Sequence, residues 1–170
     1  TNGYTRSSLS KYLSRRILPV PSFIITTEEI GVDRVNSLIP GGHCIVETRK
    51  RYCYYRPTPC GKRIMIGTRA AMHSMPAEKA LPILKKTLSE IFPELDGVDI
   101  SHCWTGFTGF SFSMLPNLGC YDGIYSAMGY CGNGVAMAPY LGHMAALKIL
   151  EPDKKITVFE STSLQTRPYY

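Results

Sequence analysis

The spacing of apolar and polar residues predicts a run of short strands over much of the chain. These segments are rich in β-branched and aromatic residues and are separated by turn-forming residues such as Pro57 to Gly61. The predicted strands cover residues 20–27, 44–49, 51–56, 63–69, 98–107 and 155–159. Because consecutive short strands with tight connections pair antiparallel, the pattern predicts an antiparallel sheet.

Apolar residues at helical spacing predict a short helix within residues 9–17, which Pro19 ends. A longer helix follows Ser74, with Pro76 in its first turn and Pro93 at its end. Pro82 should kink or split this helix. Its apolar stripe consists of Leu81, Leu84, Leu88, Ile91, Phe92 and Leu95. A strand meander crossed by one helix is an α+β domain.

The most distinctive stretch runs from Gly129 to Leu150. Strand-like residues lead into Gly129, Gly132 and Gly134, and a helix then follows without a charge until Lys148. Apolar residues on every side of this helix predict burial within a large protein. Glycines permit sharp turns and close approach, and the N–H groups of a first helical turn attract an electron-rich group. Taken alone, such glycines more often mark a plain turn before a core helix than a ligand site.

The stretch Gly-Tyr-Cys-Gly-Asn-Gly-Val with its helix resembles the C-terminal flavin motif of the D-amino-acid oxidase superfamily. That superfamily includes glycine oxidase, sarcosine oxidase and the gamma-glutamylputrescine oxidoreductases. The similarity extends in the same order to residues 1–5, 19–27, 54–67 and 104–106. It implies the C-terminal portion of such an enzyme. It implies that residues 1–18 are the end of the FAD-binding domain and that residues 19–106 are the substrate-binding sheet domain. Residues 107–170 would then be the return to the FAD-binding domain.

The resemblance implies FAD as cofactor and oxidation of an amine or amino acid to an imine by hydride transfer. It implies that the N-terminus of the last helix faces the pyrimidine edge of the isoalloxazine. The implied cofactor-binding residues are Gly3, Tyr4, Gly129, Tyr130, Gly132, Asn133, Gly134 and Val135. The implied substrate-binding residues are Tyr54, Arg56 and Trp104. Arg56 suits a carboxylate, although it also fits a surface arginine, and Trp104 also fits a core residue. No catalytic side chain is assigned, because the cofactor carries the redox step.

Some positions depart from the family pattern. No acid precedes Leu115-Pro116, where the family often has an aspartate. The sarcosine oxidase branch activates O2 with a lysine two residues before a glycine, and Met65 stands there before Gly67. A thioether cannot supply that charge, so we expect a dehydrogenase or a slow oxidase. Cys103 lies in the region where that branch attaches its flavin, but we do not expect covalent attachment here.

The dinucleotide fingerprint G-x-G-x-x-G is missing from the 170 residues, which begin at Thr1 rather than Met. That element normally holds the FAD pyrophosphate. We therefore expect an upstream FAD-binding segment as a partner of this chain. Residues 1–170 alone should be inactive, and the exposed apolar helix should favour self-association.

Composition narrows the class of protein further. The hydrophobic fraction of 44% and charged fraction of 19% are typical of globular proteins, and no apolar run predicts a membrane span. Six cysteines without a C-x-x-C pair predict reduced thiols and a cytoplasmic location. In His43-Cys44 and His102-Cys103, strand neighbours point to opposite faces, so no metal site is predicted.

The net charge of +6 supports one alternative from another class. Basic and aromatic residues lie close together in Arg49-Lys50-Arg51-Tyr52 and Tyr54-Tyr55-Arg56. Such a pattern suits a β domain that binds single-stranded nucleic acid without catalysis. A solvated surface explains charge runs of this kind more often than a nucleic-acid site does. We therefore favour the flavoenzyme hypothesis.

Overall fold

The computed structural model describes residues 3–5, 8–48, 53–71 and 73–166. The chain forms two compact units. Unit 1 comprises Thr1–Val20 with Phe107–Tyr170, and unit 2 comprises Pro21–Gly106. The assignment of residues 1–18 and 107–170 to a cofactor domain, and of residues 19–106 to a substrate domain, remains a prediction.

The chain combines helices with largely antiparallel strands in the α+β fold that the sequence predicts. The helices in the described ranges are α1 Lys11–Ser14, α2 Val32–Leu38, α3 Ala77–Ile91 and α4 Gly134–Leu150. The strands there are β1 Ile17–Thr27, β2 Ile45–Val46, β3 Cys53–Pro57, β4 Ile64–Thr68, β5 Ile100–Ser111, β6 Asn117–Tyr121 and β7 Ile124–Met128. Short 3-10 turns lie at Pro40–Gly42, Pro93–Leu95 and Val158–Glu160.

The main sheet has the strand order β2-β3-β4-β1-β5. Its β2–β3, β3–β4 and β4–β1 pairs are antiparallel, as predicted. In unit 2, one face of the sheet carries the larger hydrophobic core. Strand and helix side chains meet there, including Phe23, Ile25, Ile64, Ile66, Leu84 and Leu88. The alternate residues of the same strands therefore form the other face of the sheet.

Helix α3 runs without interruption through Pro82, so the predicted split is wrong. A proline inside a helix costs about 3 kcal/mol relative to alanine because it removes a hydrogen bond and crowds the preceding turn. Leu84 and Leu88 are fully buried on the same helix, and each such burial contributes about 2 kcal/mol. Core packing therefore outweighs the local preference of Pro82.

Other elements differ from the sequence-based expectations. Helix α2 was not predicted, and its anchor in the core is Val35. Strand β1 begins at Ile17 and passes through Pro19, so the predicted helix is shorter than expected. The strand predicted at residues 155–159 is wrong, because the end of that segment is a 3-10 turn capped by Thr157 and Glu160.

Unit 1 is built on the β6–β7 hairpin and α4. The hairpin turns at Asp122-Gly123, both with positive φ, as a tight hairpin turn requires. A small core joins the hairpin to the chain ends, through Leu13, Ile17, Met128 and Leu164. On α4 only Leu141 is fully buried. The described residues therefore do not bury α4 to the extent that the sequence predicts.

Within the described ranges, no helix combines the length and apolar character needed to cross a membrane.

The end of α4 is held by an ion pair between Lys148 and Glu160, with 2.8 Å between Nζ and Oε2. Glu160 also accepts hydrogen bonds from the backbone N–H groups of Ile156 and Thr157. The hydrogen bond from Lys148 is the main cause that lowers the pKa of Glu160 below its ordinary value of 4.5. A carboxylate with a lowered pKa stabilises the fold above its unfolded-state pKa, and this contribution is lost as pH falls through the folded-state pKa.

We predict that Lys148→Met raises the pKa of Glu160 and flattens the acid dependence of stability. Urea unfolding at about pH 7 and about pH 3 measures the change, which should amount to a loss of about 1 kcal/mol at neutral pH. Lys154→Met is the matched control, because its pair with Glu151 is exposed. Equal pH profiles for the two variants would contradict the prediction.

Candidate functional site

The glycine-rich turn before α4 lies in unit 1 and has an unusual backbone. Gly129 and Gly132 have φ of 71° and 101°, and Cys131 between them has φ of 53°. Only glycine adopts this region freely, so the two glycines permit the turn. The Cys131 N–H donates to the Gly109 carbonyl at 2.9 Å, and the Gly129 N–H donates to the Gly3 carbonyl at 3.1 Å. The turn is therefore fixed to two distant segments of the chain.

Close approaches of neighbouring groups explain two more glycines. A Cβ built on Gly109 would overlap the carbonyl group of Gly3. A Cβ built on Gly3 would lie 2.8 Å from Cδ2 of Tyr130. Sequence reasoning named Gly3 but missed Gly109, for which the only signal is a glycine inside a strand pattern.

Two aromatic residues from the predicted cofactor set, Tyr4 and Tyr130, line one cavity of unit 1. The Tyr130 hydroxyl donates to the Ala127 carbonyl at 2.7 Å, and burial raises the pKa of Tyr130. Its phenol is therefore neutral, and its proton is already donated to the Ala127 carbonyl. The Tyr4 ring meets the Phe107 ring edge-on, with 5.8 Å between centroids.

The N-terminus of α4 is open. Asn133 is the N-cap residue, but its side chain makes no capping hydrogen bond, and the first turn contains no acid. Val135 is 95% exposed. A Cβ built on Gly134 would meet only Tyr130, at ordinary contact distances of 3.5 Å and above. The Ala136 N–H donates to the Asn133 carbonyl at 3.2 Å, which leaves the N–H groups of Gly134 and Val135 without a partner inside the helix. This end therefore fits an electron-rich group such as the edge of a flavin.

The predicted substrate residues lie in unit 2. Tyr54 and Arg56 alternate on β3 and share one face, opposite Gly67 and Met65 of β4. The Tyr54 ring crosses over Gly67, and its hydroxyl lies 2.6 Å from Oγ of Ser22 on β1. Sequence reasoning did not identify Ser22, because only the strand pairing brings it to Tyr54.

Trp104 and Cys103 point to opposite faces of β5. The Cys103 thiol lies 3.4 Å from the Ala77 carbonyl and packs on the core, where burial and the nearby Glu78 carboxylate raise its pKa. Trp104 is 40% exposed and shares by alternation the face of Tyr54. Because β4 and β1 lie between β3 and β5, these two residues are about 14 Å apart at the backbone.

The nucleic-acid alternative loses part of its support. Tyr55 packs on the core, with its ring 5.3 Å from that of Phe92, so it does not share a face with Tyr54. The residues Arg49, Lys50, Arg51 and Tyr52 lie outside the described ranges, as do Thr1 and Asn2 of the segment 1–5 that resembles the family. Among the residues that are described, no three of His, Cys, Asp and Glu form a group suited to a metal ion. All six cysteines are free.

Comparison with known proteins identifies the class. Residues 1–147 match the family of FAD dependent oxidoreductases, and the chain belongs to that family. It is 31% identical over 164 residues to a probable oxidoreductase, OrdL, of Haemophilus influenzae. It is 30% identical over 146 residues to gamma-glutamylputrescine oxidoreductase of Escherichia coli. These matches cover 94% and 85% of this chain but only 37% and 34% of the two relatives. The chain thus spans about a third of their length.

Solved structures show the same fold. L-Proline dehydrogenase from P. horikoshii matches 93% of this chain with a TM-score of 0.66 and 20% identity, over 43% of its own chain. Glycine oxidase from Bacillus cereus matches 93% of this chain with a TM-score of 0.66 and 19% identity, over 42% of its own chain.

We predict that Gly109→Ala destabilises unit 1 by about 3 kcal/mol, because the new methyl group must displace the Gly3 backbone. Gly106→Ala on the same strand is the control, since nothing lies within 4 Å of its Cβ position. Thermal unfolding of the two variants measures the difference. Equal unfolding temperatures would show that Gly3 and Gly109 are not in close contact.

Proposed function

We propose that the protein containing this chain oxidises the C–N bond of an amine or amino acid to an imine with FAD. The chain supplies the flavin-contacting turn and the substrate-binding sheet. The observation that carries this proposal is the open N-terminus of α4 behind the turn at Gly129 to Asn133. The names of the relatives support it, because gamma-glutamylputrescine oxidoreductase, glycine oxidase and L-proline dehydrogenase are named for substrates with a C–N bond.

Bound FAD would supply the acceptor for a hydride from the substrate carbon. The contribution of this chain would be electrostatic, because the N–H groups of Gly132, Gly134 and Val135 and the positive end of the α4 dipole would stabilise the group that gains negative charge. The Asn133 N–H is already donated to the Tyr130 carbonyl at 2.9 Å. Gly3, Tyr4, Gly129 and Tyr130 shape the backbone next to it. These residues are the proposed cofactor-binding set.

The uncovered face of the unit 2 sheet is the proposed substrate site. Arg56 is exposed there and offers a guanidinium to a substrate carboxylate. Tyr54 supplies a hydroxyl, and Trp104 supplies an aromatic wall from β5. Met65 faces Arg56 across the strand pair and has no charge of its own. A dehydrogenase or slow oxidase therefore remains the expected type of enzyme.

The apolar surface of α4 supports a partner for this chain. Residues on several sides of the helix are exposed, including Val135, Tyr140, Ile149 and Leu150. We propose that an FAD-binding segment upstream in the same protein covers this surface. Such a segment would also carry the pyrophosphate-binding turn.

We predict that Gly134→Val in the full-length protein slows flavin reduction by at least about tenfold. Within unit 1 a Cβ at Gly134 meets only the Tyr130 ring, at ordinary contact distance, so a large effect would report an external group at this position. Stopped-flow absorbance under anaerobic conditions measures the rate. Gly142→Val, about two turns further along α4, is the control. Unchanged reduction and flavin content in Gly134→Val would contradict the proposal.

We predict that residues 1–170 expressed alone stay colourless with added FAD and do not oxidise amines. The chain offers contacts only to the isoalloxazine, whereas the pyrophosphate contributes much of the affinity in such folds. The exposed apolar residues of α4 should make this species oligomeric. The visible spectrum and light scattering test both points. A yellow monomer with stoichiometric FAD would contradict this assignment of the cofactor site.

A further inference from the structure

We propose that Cys131 is a positioning residue for the flavin contact, because its buried thiol holds the turn in which the Gly132 N–H stays free to donate to FAD. This inference rests on the proposed function. It adds a side chain to a contact that is otherwise made by backbone groups.

The backbone of Cys131 lies in the left-handed region, with φ of 53°. A residue with a side chain is disfavoured there because its Cβ crowds the following carbonyl oxygen, whereas glycine is not. The turn has glycine at its other positive-φ positions, residues 129 and 132. A strained residue persists only where its surroundings fix it, and such residues cluster at functional sites. We therefore expect the side chain at position 131 to contribute something that glycine could not.

The thiol is the group that glycine lacks. Sγ of Cys131 lies 3.1 Å from the Gly129 carbonyl oxygen and donates its proton to it. Oγ of Ser111 is further from the sulfur, at 3.8 Å, and its own proton goes to the Leu115 carbonyl at 2.6 Å. The Gly129 carbonyl is therefore the acceptor of the thiol proton.

Cys131 is also held by its surroundings. It is buried and packs with Val20, Phe110 and Leu18 in a small core of unit 1. Its N–H donates to the Gly109 carbonyl at 2.9 Å. The backbone and the side chain of one residue thus hold the middle of the turn, and loss of the thiol would take a donor away from a carbonyl inside it.

The hydrogen bonds of the turn alternate along the chain. The N–H groups of Gly129, Cys131 and Asn133 donate to carbonyls of unit 1 at 3.1, 2.9 and 2.9 Å. In the part of the chain that the structure describes, no acceptor is paired with the Gly132 N–H between the last two. The peptide group that carries this N–H directly follows Cα of Cys131, so relaxation of the Cys131 backbone would reorient it. Free N–H groups of a left-handed turn attract negative charge, which FAD gains on reduction.

The test uses the full-length, FAD-loaded protein and the midpoint potential of its FAD, measured by spectroscopic redox titration. We expect Cys131→Ala to lower the equilibrium constant for flavin reduction about fivefold, as the loss of one hydrogen bond does. This change corresponds to about 20 mV, at about 30 mV per tenfold change for two electrons. Cys131→Ser keeps a donor to the Gly129 carbonyl and should retain the parent potential. Cys120→Ala is the control for loss of a thiol, since Cys120 is exposed on β6 of the same unit.

Cys131→Gly separates positioning from stability. It removes the backbone strain together with the thiol, so its unfolding temperature should be no lower than that of Cys131→Ala. The midpoint potential should nevertheless fall as in Cys131→Ala, because the donor is missing. A role in stability alone predicts instead that the potential follows the unfolding temperature from one variant to the next.

Two results would overturn the inference. The parent potential in Cys131→Ala or Cys131→Gly excludes positioning by the thiol. A potential in Cys131→Ser as low as in Cys131→Gly shows that a donor at this position has no effect, and this comparison decides the matter even if Cys131→Ala does not fold. Either result in a parent that holds FAD and oxidises amines leaves the proposed function intact, whereas a parent without FAD removes both proposals.

Discussion

The contact on which unit 1 depends is backbone against backbone. Gly3, Gly109 and Gly129 come from parts of the chain that are far apart in sequence, and no side chain separates the first two. The hydrogen bond from the Gly129 N–H to the Gly3 carbonyl holds the start of the turn. Because α4 begins five residues later, this contact also fixes the direction in which its first N–H groups point. The electrostatics of the proposed flavin contact thus rest on three residues without side chains.

The elements that the sequence predicts well are those determined by residues that are close together along the chain. Strands β3 and β4 have a tight turn between them, and α3 has an apolar stripe that survives Pro82. The family itself was accessible because its motif is contiguous before α4. In each of these cases the determining residues lie within a few positions of one another.

The features that could not be predicted from the sequence depend on contacts between residues far apart along the chain. Helix α2 depends on Val35 reaching the core, and Gly109 and Ser22 acquire their roles only when Gly3 and Tyr54 arrive from elsewhere in the chain. The apolar pattern of α4 predicted a buried helix, yet most of its residues are exposed in this chain. The apolar pattern of a helix predicts that it is covered, but it does not identify the segment that covers it.

The Tyr54 ring occupies the space that a side chain at residue 67 would otherwise fill. The shape of the sheet surface over β4 is therefore determined by Tyr54, a residue of β3. A smaller residue at position 54 leaves a gap and a larger residue at position 67 creates a clash, so the two positions are sterically coupled. The shape of this face therefore changes with less strain when both residues are exchanged together than when either one is altered.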